Sequence, residues 1–236
     1  MRLDKFLADA GIGSRSQLRG LIRGGRVAVN GTVCKTPDAK VSETDRVTLD
    51  GEIVAYEKFV TVMINKPEGY LSATADERGD KIVTELLDER LQRMDLKPAG
   101  RLDKDSTGLL ELTTDGALIH SVISPTRHVV KRYEVTIASP LPADAHVRFA
   151  EGITLEDGYR CMPGILAYEP GALQAVICIR EGKFHQVKRM VAALGSTVLT
   201  LHRAKIGALS LDETLKPGQY RRLTEAETKL LLFSEQ

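Results

Sequence analysis

The stretch GRLDKDSTGLLELTTDG, residues 100–116, sets four carboxylates, Asp103, Asp105, Glu111 and Asp115, beside one arginine, Arg101, and three glycines. Calcium binding is the first chemistry to test. Asp103, Asp105, Thr107 and Gly108 fall at positions one, three, five and six of an EF-hand loop. Position twelve, where a bidentate glutamate is required, is Thr114, and no amphipathic helix precedes the loop. The pattern therefore excludes an EF-hand. The remaining chemistry is that of a single carboxylate: RLDKDSTG runs directly into the apolar GLLELTT, so Asp103 lies on a loop anchored to a strand, where catalytic groups are commonly found. Arg101, two residues away, would favour the ionised form. The same residues also suit a plain turn with a surface ion pair, because aspartate is a common turn former.

Other centres are excluded more readily. Cys34, Cys161 and Cys178 are odd in number and widely spaced, without a C-x-x-C pair, which argues against a disulfide scaffold or a zinc knuckle and fits thiols in a reducing cytoplasm. The five histidines show no H-E-x-x-H spacing, so no metal site is expected. The opening MRLDKFLADAGIGSRS has no apolar signal region, and no apolar run approaches about 18 residues. No membrane contact is expected. An apolar fraction of 42% and a charged fraction of 28% are those of a globular chain, and 236 residues suffice for a large and a small domain.

The net charge of +1 conceals two cationic islands. Residues 1–30 carry Arg2, Lys5, Arg15, Arg19, Arg23 and Arg26 against Asp4 and Asp9, a net of +4. Residues 180–205 carry Arg180, Lys183, Lys188, Arg189, Arg203 and Lys205 against Glu181, a net of +5. One such cluster is ordinary solvated surface; two in a nearly neutral chain point to a polyanion.

The elements that must position these groups follow from periodicity. Leu3, Phe6, Leu7 and Ala10 have helical spacing, and Gly11 and Gly13 stop that helix. Ser14 with Gln17 forms a capping box for a second helix striped by Leu18, Leu21 and Ile22, beside which Arg15, Arg19 and Arg23 make one ridge. Val27 and Val29 alternate before Asn30-Gly31, a two-residue hairpin signal, and DRVTLDGEIV reads as a further strand. Residues 57–60 then read as a linker. Beyond it FVTVMINKPEG, GLLELTT, KRYEVTIAS, ALQAVICIREG, STVLTLHRAKIGALSL and GQYRRLT read as strands, with helices over DKIVTELLDERLQRM, FHQVKRMVAALG and TEAETKLLLF, the last opened by a Thr224–Glu227 capping box. Strands without regular βαβ alternation predict an α+β fold: a small helix-helix-sheet module at 1–56, and at 61–236 a mixed, mainly antiparallel sheet with flanking helices.

Two resemblances add to this reading. RLDKFLADAG, SRSQLRGLIRGGRVAVNG and the hairpin resemble the RNA-binding module of ribosomal small-subunit protein four. NKPEGY (65–70), GRLDKDSTGLL (100–110), SPTRHVVKRYEV (124–135), EGKFHQVKRM (181–190) and LHRAKIGALSL (201–211), in that order, resemble the pseudouridine synthases of the ribosomal small-subunit synthase A type. That resemblance implies cofactor-free isomerisation of a uridine within ribosomal RNA, most simply of the small subunit, free or in an assembling particle, by a monomer.

It also implies roles. Asp103 matches the essential aspartate, which must act at the sugar while the glycosidic bond breaks and carbon five of the base joins the ribose. Tyr133 matches the aromatic that stacks on the extruded uracil; as a strand tyrosine it also suits a core position. Lys188 stands where an Arg or Lys pairs with the aspartate, and Leu201 lines the base pocket or the core. Lys66, Arg127, Lys183, Arg189 and Arg203 are expected on phosphates. His185 and Gln186 are expected to position RNA or the loop. Asp105 is expected to bond backbone, and Asp115-Gly116 to turn the chain. Glu111 replaces an apolar residue of the family, so it must face solvent, meet a cation or weaken the packing. Two other readings remain: an RNA-binding assembly protein without catalysis, and a glycoside hydrolase using Asp103 and Glu111, disfavoured by the absence of Trp.

Overall fold

The structure, a computed structural model, describes residues 1–233. It divides into two compact units, Met1–Val60 with Leu87–Leu96, and Thr61–Leu86 with Lys97 onward. The last three residues of the expected second domain, 234–236, lie outside the described residues.

The first unit contains α1 (Leu3–Asp9), α2 (Arg15–Arg23), β1 (Val27–Val29), β2 (Thr32–Val33), β3 (Val47–Leu49) and β4 (Glu52–Ile53). Its antiparallel sheet runs β2-β1-β3-β4. Leu3, Phe6, Leu7, Leu18, Ile22, Val27 and Val47 form the core, the set that helical and alternating periodicity brings to one side. Ser14 Oγ accepts from Gln17 N at 3.4 Å while Gln17 Oε1 accepts from Ser14 N at 3.0 Å, so the capping box holds both orphan amides. Ser14→Ala is expected to cost about 1 kcal/mol in urea denaturation; an unchanged midpoint would mean that α2 does not depend on its cap.

Asn30 and Gly31 take the positive φ values, 51° and 82°, that a tight hairpin needs. DRVTLDGEIV is two strands rather than one. Asp50 and Gly51, at φ 52° and 88°, repeat that turn between β3 and β4.

The helix expected over residues 80–94 is broken into a 3-10 turn at Val83–Leu86 and the short α3 (Glu89–Gln92). Asp88 accepts from Leu91 N at 2.9 Å, so its carboxylate offers the backbone a new start in place of a continued helix. The turn stays in the second unit, whereas Leu87–Leu96 with α3 belongs to the first, where Arg90 donates to Ala10 O at 3.0 Å and to Ala55 O at 2.9 Å.

The second unit contains β5 (Thr61–Lys66), β6 (Lys97–Pro98), β7 (Thr107–Thr113), α4 (Gly116–Ile123), β8 (Lys131–Ile137), α5 (Ala145–Glu151), β9 (Ile165–Tyr168), β10 (Gln174–Ile179), α6 (Gln186–Ala192), β11 (Val198–Ile206), β12 (Leu209–Ser210), β13 (Tyr220–Arg222) and α7 (Glu225–Leu230). The sheet runs β13-β5-β7-β11-β8-β10-β9, with β12 on β11 and β6 on β7. All its named pairings are antiparallel except β7 with β11, which makes this the mixed sheet of an α+β fold. Met63, Leu109, Leu118, Val122, Ile206 and Leu209 pack together on one side of it.

Asp115-Gly116 is a helix start rather than a simple turn: Asp115 Oδ1 accepts from Ala117 N at 2.9 Å and opens α4. The α4 and α5 helices and β9 were not foreseen, each being too short for its periodicity to stand out. The Thr224–Glu227 capping box opens α7 as expected.

The parallel joint between β7 and β11 explains Gly108. Its φ is +105°, and a Cβ there would lie 2.4 Å from Arg203 O. Only glycine lets the strand after the acidic loop come so close to β11. No helix among the described residues is long and apolar enough to cross a membrane.

Candidate active site

The loop between β6 and β7 is held from below by two buried cations. Lys66, at the end of β5, is fully buried, and its Nζ donates to Ser106 O at 2.7 Å, Pro67 O at 3.0 Å and Lys104 O at 3.4 Å. Arg203, on β11, is 2% exposed and donates from Nε to Leu109 O at 2.8 Å and from Nη1 to Arg101 O at 3.2 Å. Both were expected on phosphates, and the structure corrects this: both are buried and donate to carbonyls of the 101–109 segment, Lys66 also to Pro67 O, while Arg203 Nη2 has no hydrogen-bond partner among the described residues. A buried cation needs such acceptors, and in return fixes the backbone that supplies them. Burial pushes the Lys66 ammonium down to about 8, partly opposed by Asp105 and Asp103. Ser72 braces the same loop, donating to Leu102 O and accepting from Leu102 N at 2.8 and 3.0 Å.

On this clamped loop Asp103 is half-buried and faces Lys188 of α6, with Nζ 3.1 Å from Oδ2. The same ammonium lies 2.6 Å from Asp105 Oδ1. Asp105 is thus first an ion-pair partner, with the expected backbone hydrogen bond a smaller contribution. Its hydrogen bond from Lys188 holds its carboxyl below the usual range, opposed by burial. For Lys188, burial pulls the ammonium down, but the hydrogen bonds to Asp105 and Asp103 outweigh it and raise the net value. His185 Nε2 stands 3.6 Å from Asp103 Oδ1 on the other side. Arg101, expected to be the cation beside Asp103, is exposed and pairs with no carboxylate among the described residues, although it lines the same cleft. A residue two positions along a turn points elsewhere, whereas α6 brings Lys188 in from above.

Asp103, Arg101, Leu102, Ser106, Tyr133, Ile179, Lys183, His185, Gln186 and Leu201 share one cleft. Tyr133 and Leu201 are each 7% exposed, their side chains brought to this face by the alternation of β8 and β11. A larger hollow of about 670 Å³, lined by Glu134, Thr136, Gln174, Thr200 and His202, lies on the opposite face, which the alternate residues of those strands supply. Size alone would select it; the paired charges select the smaller cleft.

The segment leading into α6 is fixed by a carboxylate that the sequence reading counted only as a charge. Glu181 accepts from Tyr159 Oη at 2.5 Å, Met162 N at 2.9 Å and Gln186 Nε2 at 2.8 Å. Burial raises its pKa, but these hydrogen bonds prevail and hold it low. Gln186 is buried and accepts from Lys183 N at 3.0 Å, so it positions the loop. Its spacing of five from Glu181 in EGKFHQ was the available signal. Lys183 is exposed, with Nζ 5.1 Å from the Tyr159 ring centroid, and Arg189 pairs with Asp157 at 2.5 Å. Arg127 is exposed on the turn after α4.

Glu111 is the other departure. It does not face solvent: it is fully buried on β7, and both carboxylate oxygens lack a hydrogen-bond partner among the described residues. Burial pushes its carboxyl up to about 7, against the pull of Arg203 and Lys131. The hydrolase reading requires Glu111 as the second group of the pair, and its complete burial removes it.

In the first unit the arginine ridge is partly tied down. Asp4 is fully buried, with Arg2, Arg19 and Arg15 at 3.0, 3.2 and 3.6 Å. Burial pushes the Asp4 carboxyl up, and the hydrogen bonds from Arg2 and Arg19 overcome it and lower it. The three guanidinium side chains stay roughly half-exposed, at 40%, 46% and 55%, so each keeps an outer face. Lys5 pairs with Asp9 at 2.7 Å, Arg26 with Asp50, and Arg23 is exposed.

Residues 1–47 match the S4 domain family, and residues 60–193 match the RNA pseudouridylate synthase family. The chain is 43% identical over 235 residues to "Uncharacterized RNA pseudouridine synthase YtzG" of Bacillus subtilis (strain 168), covering 98% of each. It is 41% identical over 227 residues to "Ribosomal small subunit pseudouridine synthase A" of Vibrio cholerae, covering 96% of this chain and 97% of that one. A solved structure titled "Crystal structure of pseudouridylate synthase" superposes with a TM-score of 0.69 at 38% identity, over 98% of this chain and 99% of that one. The family match over residues 60–193, behind an N-terminal S4 domain, and the identity to these relatives over nearly the whole chain place this protein in the RNA pseudouridylate synthase family, whose members are isomerases acting on uridine in RNA.

Proposed function

We propose that the protein converts one uridine of small-subunit ribosomal RNA to pseudouridine, with Asp103 as the group that acts at the ribose. The observation that carries this reading is the meeting of Asp103 and Tyr133 at one cleft, with Lys188 paired to Asp103. The relatives named for the ribosomal small subunit support the choice of RNA. The target base leaves the stack and is held against Tyr133, with Leu201 closing the pocket. Asp103 then attacks the anomeric carbon or removes the neighbouring ribose proton, the uracil turns, and carbon five replaces nitrogen one on the sugar. The proton on carbon five is released to solvent and nitrogen one takes up a proton from solvent, so atoms balance without a cofactor. Lys188 orients Asp103 through the 3.1 Å pair. The enzyme acts as a monomer in the cytoplasm, on free RNA or an assembling particle.

The direct test is a chemical map of pseudouridine in total rRNA from cells with and without this protein. One small-subunit position is expected to disappear. Loss confined to large-subunit RNA would move the substrate to the other subunit, and an unchanged map would remove the function. Arg23, Arg127 and Lys183, with the outer faces of Arg2, Arg15 and Arg19, supply phosphate contacts. Binding is therefore expected to weaken at least about tenfold between 50 and 200 mM salt, and a flat titration would remove this electrostatic argument.

A further inference from the structure

Phe184 is unused by the chemistry described above. It is 75% exposed, the most exposed large apolar side chain among the described residues. It is not on a loose tip. The neighbouring backbone is pinned on one side by Glu181, which holds Met162 N and Tyr159 Oη, and on the other by Gln186, which takes Lys183 N. One ring face lies on the His185 imidazole, with centroids 3.8 Å apart and planes 18° from parallel. His185 in turn lines the cleft, its Nε2 3.6 Å from Asp103 Oδ1. A file of planar groups therefore leads outward from the catalytic carboxylate and ends on an aromatic surface facing solvent. Lys183 is its immediate neighbour, and Arg180, Lys188 and Arg189 follow within the same cationic island. An apolar ring set among cations suits a partner that is both flat and polyanionic.

We propose that Phe184 is a stacking platform for a nucleobase adjacent to the isomerised uridine. Removing a uridine from its stack strips one face from each neighbour; the Phe184 ring replaces that lost face and extends the file by one base. Stacking of this kind tolerates any base, because each has a π face. The inference rests on the chain acting on uridine in RNA, and the test separates the two.

Steady-state tritium release from small-subunit rRNA labelled at carbon five of uracil would be measured for wild type, Phe184→Ala, Phe184→Leu and Phe184→Trp. The alanine variant is expected to raise KM roughly tenfold to a hundredfold, the effect of losing one stacked base, with kcat little changed. Tryptophan is expected to restore KM, and leucine, which supplies apolar area without a π face, is expected to behave like alanine. In an RNA carrying 2-aminopurine beside the mapped uridine, wild type and the tryptophan variant should quench its fluorescence and the alanine variant should not. An active wild type whose alanine variant keeps its KM, or a leucine variant that matches wild type, overturns the platform alone. A wild type that releases no tritium overturns the parent reading and this one with it.

Discussion

Asp103→Asn is expected to stop tritium release from uracil-labelled rRNA, by roughly 10⁴-fold or more, the scale on which loss of an essential reacting group is felt. Asparagine keeps the size of the side chain and the turn, and the loop is held by Lys66, Arg203 and Ser72, none of which bonds the Asp103 side chain. RNA affinity should therefore stay within about threefold of wild type, since one neutralised charge changes the phosphate contacts little. The variant leaves the Lys188 ammonium paired with Asp105 at 2.6 Å, so no buried cation is stranded and the fold should survive. Tritium release and filter binding of the same RNA separate the outcomes. Retained turnover would make Asp103 a turn residue and remove the mechanism; loss of both turnover and binding would mean that the substitution had disturbed the loop rather than the chemistry.

The contrast between Asp103 and Lys66 shows what the residues reveal unaided. The loop that carries Asp103 was legible as a turn running into an apolar strand, while the role of Asp103 came only from the family resemblance; the Ser14–Gln17 box and the Asn30-Gly31 turn were likewise local patterns. Lys66 and Arg203 were legible as cations of the site but not in their role. A lysine in NKPEG looks solvated until β5 is placed next to β7, and only the sheet order β5-β7-β11 shows that both cations end up under the same loop. Arg101 was misread for the opposite reason: adjacency in sequence suggested a pair, while the real partner, Lys188, comes from 85 positions further along and sits 3.1 Å away. Charge counting likewise hid Asp4 and Glu181. Each subtracts one from its island, yet each is a buried hub that orders several donors. Helical content was misjudged where a cap interrupts the period, as Asp88 does before α3. Local codes thus report turns and caps; burial of a charge depends on pairings distant in sequence.

Glu111 carries the second large effect, on stability rather than turnover. Its carboxyl stands near 7 in the folded chain against an ordinary 4.5, chiefly because β7 buries it, while Arg203 and Lys131 pull the other way. The folded state therefore keeps this proton between those two pH values and the unfolded state does not, so unfolding releases a proton and stability falls as pH rises through that interval. A shift of this size corresponds to about 3 kcal/mol, lost between pH 4.5 and 7 and not lost further above it. Lys131 acts in another window: burial lowers it to about 8, so its own contribution changes only from there upward and leaves the acid side clear. Glu111→Gln removes the titration while keeping the shape. Urea denaturation of both chains at pH 5, 6 and 7 is expected to show the glutamine variant gaining on wild type by about 2 kcal/mol across the series, because titrations not coupled to Glu111 cancel in the difference and Lys131, which is coupled, titrates above this range. A difference independent of pH would mean that Glu111 stays ionised in the core, held by Arg203 and Lys131 as a charged triad.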